Sequence, residues 1–237
     1  MSIFKFKHFS ISQSDTTMKV GTDAMVLGSL VSLVDRPVTV LDIGTGTGVL
    51  ALMIAQRSEE ALVMALEIDE RACQEAENNF KASHWSNRLA SIHEDILEIE
   101  FDSTFDLIVS NPPYYENSLL SENDRTSRAK HAEFLPVGSL LNKVNELLTN
   151  EGSFWVIIPF ENTNSWVEAA KEENLYLKSS ISIIGKEGQG VKRSILEFSR
   201  KQSEVSSASL TVRDFKNNYT KEYIELTKEF HDRDLSK

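Results

Sequence analysis

The stretch Ser110-Asn111-Pro112-Pro113-Tyr114 combines an amide side chain, two prolines and an aromatic ring directly after an apolar run at 105–109. The apolar run predicts a buried strand. The prolines end it, because proline has no N–H for a sheet ladder. Ligands bind at the carboxyl edge of open parallel sheets. We therefore interpret Asn111, Pro112 and Tyr114 as candidate residues of a reaction centre, although an aromatic such as Tyr114 alone is typical of an ordinary loop.

A second group of residues follows an earlier apolar run, at 38–43, where Asp42 leads into Gly44, Gly46 and Gly48. Glycines let a backbone approach a ligand closely, and the helix start that follows favours negative charge. The dinucleotide fingerprint requires glycine at position 49, where this chain has valine. A carboxylate at Asp42 disfavours a pyrophosphate and suits an ammonium group. A glycine-rich turn without a ligand is the alternative.

Two further acids come at the ends of the next predicted strands. Glu67 is placed to accept hydrogen bonds from the hydroxyls of a ribose, and Asp95 to accept one from the exocyclic amine of an adenine. Asp69 is better suited to cap a helix. A single acid at a strand end is usually a solvated cap, but Asp42, Glu67 and Asp95 follow three successive strands and are expected to face one crevice.

The elements that position these residues alternate between apolar strands and helices, which predicts an α/β, doubly wound, mostly parallel sheet. A six-residue gap before the last core strand predicts a hairpin, so that strand runs antiparallel. Thr22 or Asp23 is a candidate helix cap, and an alternating pattern at 4–8 predicts an edge strand. The predicted strands are 38–43, 62–68, 89–93, 105–109, 152–159, 175–184 and 191–199, with helices at 24–33, 49–57, 70–83, 137–148, 161–173 and 221–230 and a possible strand at 209–213.

Composition limits the classes of function. The 237 residues carry 25 basic and 36 acidic side chains, so that 25 − 36 gives a net charge of −11, which argues against nucleic-acid binding over the whole surface. The single cysteine, the absence of a long apolar run and the scattered histidines predict a cytoplasmic protein without membrane contact or metal site. We expect a monomer with one domain over 1–237, comprising an N-terminal covering segment (1–36), a catalytic core (37–200) and a C-terminal linker and tail (201–237).

Together, the Asp42 glycine loop, Glu67, Asp95 and the Asn111 stretch resemble the cofactor and amino-methylation motifs of class I methyltransferases, over about residues 38–160. The resemblance implies a seven-stranded Rossmann-like sheet and the cofactor S-adenosyl-L-methionine. It also implies methylation of a planar nitrogen, whose delocalised lone pair makes it a poor nucleophile. The Asn111 side-chain oxygen and the Pro112 carbonyl each accept one amine hydrogen, which favours a localised lone pair, while Tyr114 stacks on the target ring.

The flanking segments resemble the tRNA1(Val) adenine-37 N6-methyltransferase family more narrowly, at Phe6-Lys7-His8-Phe9, Met18-Lys19-Val20-Gly21-Thr22-Asp23 and 191–198. This resemblance implies that Lys19 and Thr22 contact the methionine end of the cofactor. A surface charge is the alternative for Lys19.

The polar loop at 115–133 carries the densest basic cluster near the predicted site, formed by Arg125, Arg128, Lys130 and His131. The family often has Ala-Arg-His where this chain has Ala129-Lys130-His131, and lysine keeps the charge but loses the planar fork of arginine. These four residues are candidate tRNA contacts, with a helix-cap role as the alternative for His131. A second set of basic residues is a candidate rim around the acidic body: Lys5, Lys7, Lys186, Lys192 and Arg193.

The function predicted from the sequence is methylation of the exocyclic N6 amine of adenine 37 in a valine tRNA. One alternative is another planar-nitrogen methyltransferase, acting on ribosomal RNA, DNA or release-factor glutamine. A release-factor enzyme normally carries a separate helical N-terminal domain, which 36 residues cannot supply. The other alternative is a non-catalytic S-adenosylmethionine-binding module, which the intact Asn111 motif disfavours.

Overall fold

The structure is a computed structural model that describes residues 3–13, 19–33, 39–112 and 136–236. In chain order the strands are β1 (Ile3–Lys5), β2 (Ser10–Ser12), β3 (Thr39–Ile43), β4 (Leu62–Glu67), β5 (Leu89–His93), β6 (Phe105–Ser110), β7 (Leu148–Pro159), β8 (Tyr176–Lys186), β9 (Arg193–Ser199) and β10 (Ser206–Arg213). The helices are α1 (Thr22–Leu30), α2 (Val49–Arg57), α3 (Glu70–Lys81), α4 (Val137–Leu147), α5 (Thr163–Glu172) and α6 (Lys221–Thr227). None of the described helices is long and apolar enough to cross a membrane.

The central sheet has eight strands in the order β10-β8-β9-β7-β6-β3-β4-β5. Strands β3 to β8 all point the same way, and β9 lies antiparallel between β7 and β8. The prediction of a doubly wound sheet with six parallel strands and one antiparallel hairpin strand is confirmed. The parallel strands therefore end at one edge of the sheet, which we call the carboxyl edge. The glycine loop, the acidic residues and Asn111 lie at this edge.

The sheet has one strand more than the seven predicted. Strand β10 pairs in parallel with β8, from Ser206 opposite Ser179 to Arg213 opposite Lys186. It begins three residues before the possible strand at 209–213. Its first four residues are exposed serines and an alanine, so backbone pairing, rather than an apolar pattern, extends the strand.

The strand predicted from the alternating pattern at 4–8 belongs to an N-terminal hairpin that forms a small sheet of its own. Strands β1 and β2 pair antiparallel in a separate two-stranded sheet, with Phe4 opposite Ile11. The alternating pattern at 4–8 identified an extended chain but not its partner, because period-two spacing is the same in any strand. Phe6, Phe9 and Ile11 are buried, and the rings of Phe6 and Phe9 stack with centroids 4.2 Å apart. Their burial, worth roughly 1.5–3 kcal/mol per side chain, docks the hairpin on the core.

Two apolar layers cover the two faces of the sheet. Along β7, Trp155 and Ile157 belong to the layer that contains residues of α1, α2, α3 and α6. Phe154 and Val156 belong to the opposite layer, which contains residues of α4 and α5. This alternation follows from the two-residue period of a strand. Both faces of the sheet are therefore covered, and a ligand is expected at the carboxyl edge, as in other open parallel sheets.

Candidate active site

The ends of β3, β4 and β6 are held together by hydrogen bonds at the carboxyl edge. β3 lies between β4 and β6. The backbone N–H groups of Gly44 and Thr45 donate to the Leu66 carbonyl at 2.9 and 3.0 Å, and the Ser110 hydroxyl donates to the Ile43 carbonyl at 2.9 Å. The glycine loop and the start of the Asn111 stretch are therefore parts of one connected edge.

The three glycines after Asp42 all have left-handed backbone conformations, with φ of +70° at Gly44, +56° at Gly46 and +81° at Gly48. Their surroundings differ. A Cβ at Gly48 would lie 2.4 Å from Cε1 of Phe80, whereas no atom of the described residues lies within 4 Å of a Cβ built on Gly44 or Gly46. Gly48 thus allows α2 to pack against α3, and Gly44 and Gly46 border open space that a ligand can enter.

Asp42 lies beneath this loop, with no exposed surface. Its Oδ2 accepts a hydrogen bond from the Thr45 hydroxyl at 2.6 Å, and its Oδ1 is buried without a hydrogen-bond partner among the described residues. Burial raises the pKa of Asp42 to about 7, against smaller lowering effects of the Thr45 hydroxyl and the Ala51 N–H, and the charge of Glu67 raises it further. Asp42 therefore lies inside the loop and is bonded to Thr45, and a cation or donor close to it would favour its ionised form.

Glu67 connects the end of β4 to the glycine loop. Its Oε2 accepts the Gly46 N–H at 2.8 Å, and its Oε1 accepts the Asp69 N–H at 3.1 Å. Each carboxylate oxygen has capacity for another hydrogen bond, so these contacts leave room for the predicted acceptance of ribose hydroxyls. Asp69 caps α3 by accepting the Ala72 N–H at 2.8 Å, as its position in the sequence predicted.

Asp95 lies at the same edge, after β5. The Glu94 N–H donates to the Glu67 carbonyl at 3.1 Å, which joins the ends of β4 and β5. The Asp95 side chain is partly buried, and its Oδ1 accepts the Leu97 N–H at 2.9 Å. The structure thus brings Asp42, Glu67 and Asp95 to the ends of three adjacent strands, as expected, and their individual ligand contacts stay predictions.

Lys19 and Thr22 flank the start of α1, and both are exposed. The prediction that Thr22 or Asp23 caps this helix is wrong: Gly21 precedes it, and no side chain of the described residues caps it. Asp23 instead accepts a hydrogen bond from Nε of Arg193, at 2.9 Å from its Oδ2. Because Arg193 begins β9 at the carboxyl edge, this ion pair positions the start of α1, and hence Lys19 and Thr22, at the same edge of the sheet.

Asn111 and Pro112 follow β6 directly, and both are half-buried. Tyr114 and the four predicted tRNA contacts, Arg125, Arg128, Lys130 and His131, lie outside the described residues. Among the described residues, no group of three or more His, Cys, Asp or Glu side chains is arranged to hold a metal ion.

Asn79 is a positioning residue that the sequence analysis missed. Its side-chain oxygen accepts the Ser12 N–H at 2.8 Å, and its Nδ2 lies 3.0 Å from the Ser12 carbonyl and 2.9 Å from the Thr47 carbonyl. One buried amide thus joins the N-terminal hairpin to the glycine loop. The available signal was its spacing: Asn79 follows Ala72 and Ala76 on the apolar face of α3, where a polar residue needs a partner.

Phe160 is a second missed residue. It directly follows Pro159, the last residue of β7, and is 45% exposed. β7 is the neighbour of β6, so an exposed aromatic ring lies one strand from the Asn111 stretch. An apolar residue just beyond a predicted strand-ending proline was the signal for it.

The eight-stranded sheet and the glycine-loop edge define a class I methyltransferase. The family model described as methyltransferase small domain matches residues 14–168. Solved structures share the fold: a predicted O-methyltransferase from Agrobacterium tumefaciens has a TM-score of 0.69 at 19% identity, with 88% of this chain and 96% of that chain covered. A ribosomal protein L11 methylase from Lactobacillus delbrueckii subsp. bulgaricus has a TM-score of 0.54 at 22% identity, covering 76% and 77%.

Curated relatives are similar over nearly the whole chain. A tRNA1(Val) (adenine(37)-N6)-methyltransferase from Flavobacterium johnsoniae is 40% identical over 232 residues, covering 97% of this chain and 99% of the relative. Enzymes of the same name from Bacteroides thetaiotaomicron and Vibrio campbellii are 38% and 34% identical, each covering 96% of this chain and 96% and 95% of the relatives. The chain belongs to the family of tRNA1(Val) (adenine(37)-N6)-methyltransferases.

The carboxyl edge fits S-adenosyl-L-methionine, the methyl donor of this class of enzyme. No described atom lies within 4 Å of a Cβ at Gly44 or Gly46, which leaves room for a ligand beside the loop. Beneath them, Asp42 has an unpartnered buried oxygen, which suits a site that receives the positive charge of an amino-acid ammonium or a sulfonium. Glu67 and Asp95 add carboxylate oxygens for hydroxyl and amine donors.

Proposed function

We propose that this protein transfers a methyl group from S-adenosyl-L-methionine to the exocyclic N6 amine of adenine 37 in a valine tRNA. The observation that carries the proposal is the junction of the glycine loop and the Asn111 stretch at one edge: the Ser110 hydroxyl binds the Ile43 carbonyl, so the residues that precede each motif are in contact. The near full-length similarity to enzymes of that activity supports the choice of substrate.

In the proposed reaction, Gly44, Gly46, Glu67 and Asp95 hold the cofactor, with Lys19 and Thr22 at its methionine end. When bound, S-adenosyl-L-methionine would supply an electrophilic methyl group, whose bond to sulfur breaks as the C–N bond forms, with S-adenosyl-L-homocysteine as the leaving product. The Asn111 side-chain oxygen and the Pro112 carbonyl accept the two hydrogens of the adenine amine. This orients the nitrogen and localises its lone pair without a strong base, and the amine proton leaves to solvent after the new C–N bond forms.

The remaining roles concern the substrate. Tyr114 stacks on the target adenine, since bases that react are taken out of their stack and held on aromatic rings. Arg125, Arg128, Lys130 and His131 contact the tRNA near the target. Because the substrate is a tRNA, we expect the protein to act in the cytoplasm. We also expect it to be a monomer. One domain over 1–237 is supported by a shared apolar layer, in which Phe6 and Phe230 pack with residues of the central strands.

A direct test uses the purified protein, isotope-labelled S-adenosyl-L-methionine and an unmodified valine tRNA transcript, followed by nuclease digestion and mass spectrometry. The expected product is labelled N6-methyladenosine in the fragment that contains position 37. A transcript with guanine at position 37 is the matched control and should stay unlabelled. Label on another nucleoside, or equal label in the control, would refute the proposal.

A further inference from the structure

Aromatic and basic side chains extend along the carboxyl edge, away from the cofactor side of Asn111. We call this set the aromatic-basic rim and define it as Phe160, Lys186, Lys192, Phe215 and Lys216. Phe160 follows β7, Lys192 immediately precedes β9, Lys186 ends β8, and Phe215 and Lys216 follow β10. The strand order β6-β7-β9-β8-β10 places these residues one after another along the edge.

Backbone hydrogen bonds fix this part of the edge. The Phe160 N–H donates to the Lys192 carbonyl at 3.2 Å, and the Lys192 N–H donates to the Ile183 carbonyl at 3.0 Å. At the outer end, the Glu187 N–H donates to the Arg213 carbonyl at 2.8 Å. The eighth strand, β10, thus has a role beyond closing the sheet: it lengthens the edge by one position and presents Phe215 and Lys216 beside the β8–β9 turn.

The described part of the chain does not hold the rim lysines in ion pairs, although, after the hydrogen bond from Asn218, the charge of Lys216 helps to lower the pKa of the neighbouring Asp214. Among the described residues, Lys186, Lys192 and Lys216 form no ion pair. Other lysines, none of them on the rim, do pair with described carboxylates: Lys7, Lys81, Lys143, Lys178, Lys201 and Lys228. On a chain with a net charge of −11, unpaired lysines grouped on one edge suit a polyanion.

The two rings of the rim are exposed apolar surface between these charges. Phe160 is 45% exposed and Phe215 is 67% exposed. Phe215 rests on the β8–β9 turn, where Gly188 has φ of +79° and a Cβ would lie 2.7 Å from Cε1 of the ring. Exposed rings interleaved with lysines favour nucleic acid, because bases stack on rings while lysines neutralise phosphates.

The outer part of the rim, formed by Lys186, Phe215 and Lys216, lies outside the reach of the target nucleotide itself. With strands about 4.8 Å apart, β8 and β10 lie three and four strands from β6, or roughly 14 and 19 Å from the Asn111 stretch. We propose that the aromatic-basic rim binds the tRNA that flanks the target adenine, through phosphates at Lys186, Lys192 and Lys216 and a stacked base at Phe215. This rests on the proposed function and names the face that receives its substrate.

The test is tRNA binding by a Lys186→Gln/Lys192→Gln double variant, measured by filter binding over a salt series. Counterion release of about 0.7–0.9 ions per contact corresponds to roughly sixfold in affinity per contact at 0.1 M salt. We therefore expect Kd for tRNA to rise at least tenfold and the salt slope to fall by about 1.4–1.8, with unchanged cofactor affinity. Lys171→Gln, at the exposed end of α5 on the opposite edge, is the matched control and should leave both values unchanged.

Three single variants test the outer end of the rim, around Phe215. Phe215→Ala should weaken tRNA binding about fivefold or more, and Phe215→Tyr, which keeps a ring, should not. Glu187→Gln removes an exposed carboxylate from the same turn and should tighten binding. If the double variant behaves like Lys171→Gln while the wild-type protein methylates tRNA, the rim proposal fails and the proposed function stands. If the wild-type protein forms no N6-methyladenosine in tRNA, both fail.

Discussion

Gly46→Ala and Gly48→Ala are expected to fail in different ways, although the two glycines are two residues apart in one loop. Both have positive φ, so alanine at either costs about 1–2 kcal/mol for the left-handed conformation. At Gly48 the new Cβ also meets Phe80, at 2.4 Å from Cε1 and 2.9 Å from Cζ. Phe80 is buried, so this overpacking adds about 1–3 kcal/mol. The total is roughly 2–5 kcal/mol for Gly48→Ala.

Urea unfolding measures the two free energies, and calorimetric titration with S-adenosyl-L-methionine measures binding. Gly46→Ala should lower the free energy of unfolding by only about 1–2 kcal/mol. It should weaken cofactor binding at least tenfold, since its methyl group enters the open space of the site. Gly138→Ala is the control: it lies in the first turn of α4 with no described atom within 4 Å of a Cβ, and should be neutral or slightly stabilising. Wild-type affinity in Gly46→Ala, or equal stability losses at Gly46 and Gly48, would refute the division of roles within the loop.

Two further predictions concern the groups that support the loop. Asn79→Ala removes three hydrogen bonds of a buried amide and should cost about 2–4 kcal/mol in urea unfolding. Asn78→Ala, at an exposed neighbouring position, should change stability by less than about 0.5 kcal/mol. Equal effects would contradict the role of Asn79 in joining the hairpin to the glycine loop. The pKa of Asp42, raised from 3.8 to about 7 in the fold, means that between these pH values the folded protein keeps a proton that the unfolded chain has released, so stability falls as pH rises from about 4 to about 7 and levels off above that. Asp42→Asn should therefore gain about 2–3 kcal/mol on the wild type between pH 5 and pH 8, and parallel pH profiles would contradict it.

The sequence was sufficient for elements whose apolar runs end at strong local signals. Helix α2 and strand β5 have the bounds predicted for them, since Gly48 and Ser58 bracket one run and a turn at Ser86–Arg88 precedes the other. β7 begins four residues earlier than predicted, at Leu148. Its first residues pair with β6 across a bulge but do not form an apolar run, so the sequence pattern did not include them.

The features that the sequence did not predict depend on which segments become neighbours in the fold. Asn79 reads as one polar residue among many on α3, and only the docking of Ser12 against it shows why it is buried. Likewise Gly46 and Gly48 are equivalent in a motif and differ once Phe80 packs under one of them. The rim combines residues from 160 to 216, and their order along the edge is set by the order of the strands in the sheet, with β10 at the end. The local pattern of apolar residues does not predict that strand order.

Asn111→Ala tests the central claim most directly, with two readouts on one protein. We expect the variant to bind S-adenosyl-L-methionine with the affinity of the wild type, because the glycine loop, Glu67 and Asp95 are unchanged. We also expect N6-methyladenosine at position 37 of the tRNA, measured by mass spectrometry, to form with the wild type and not with the variant. Formation of N6-methyladenosine at a wild-type rate by Asn111→Ala would contradict the account, since its amide oxygen would then not be what prepares the amine for transfer.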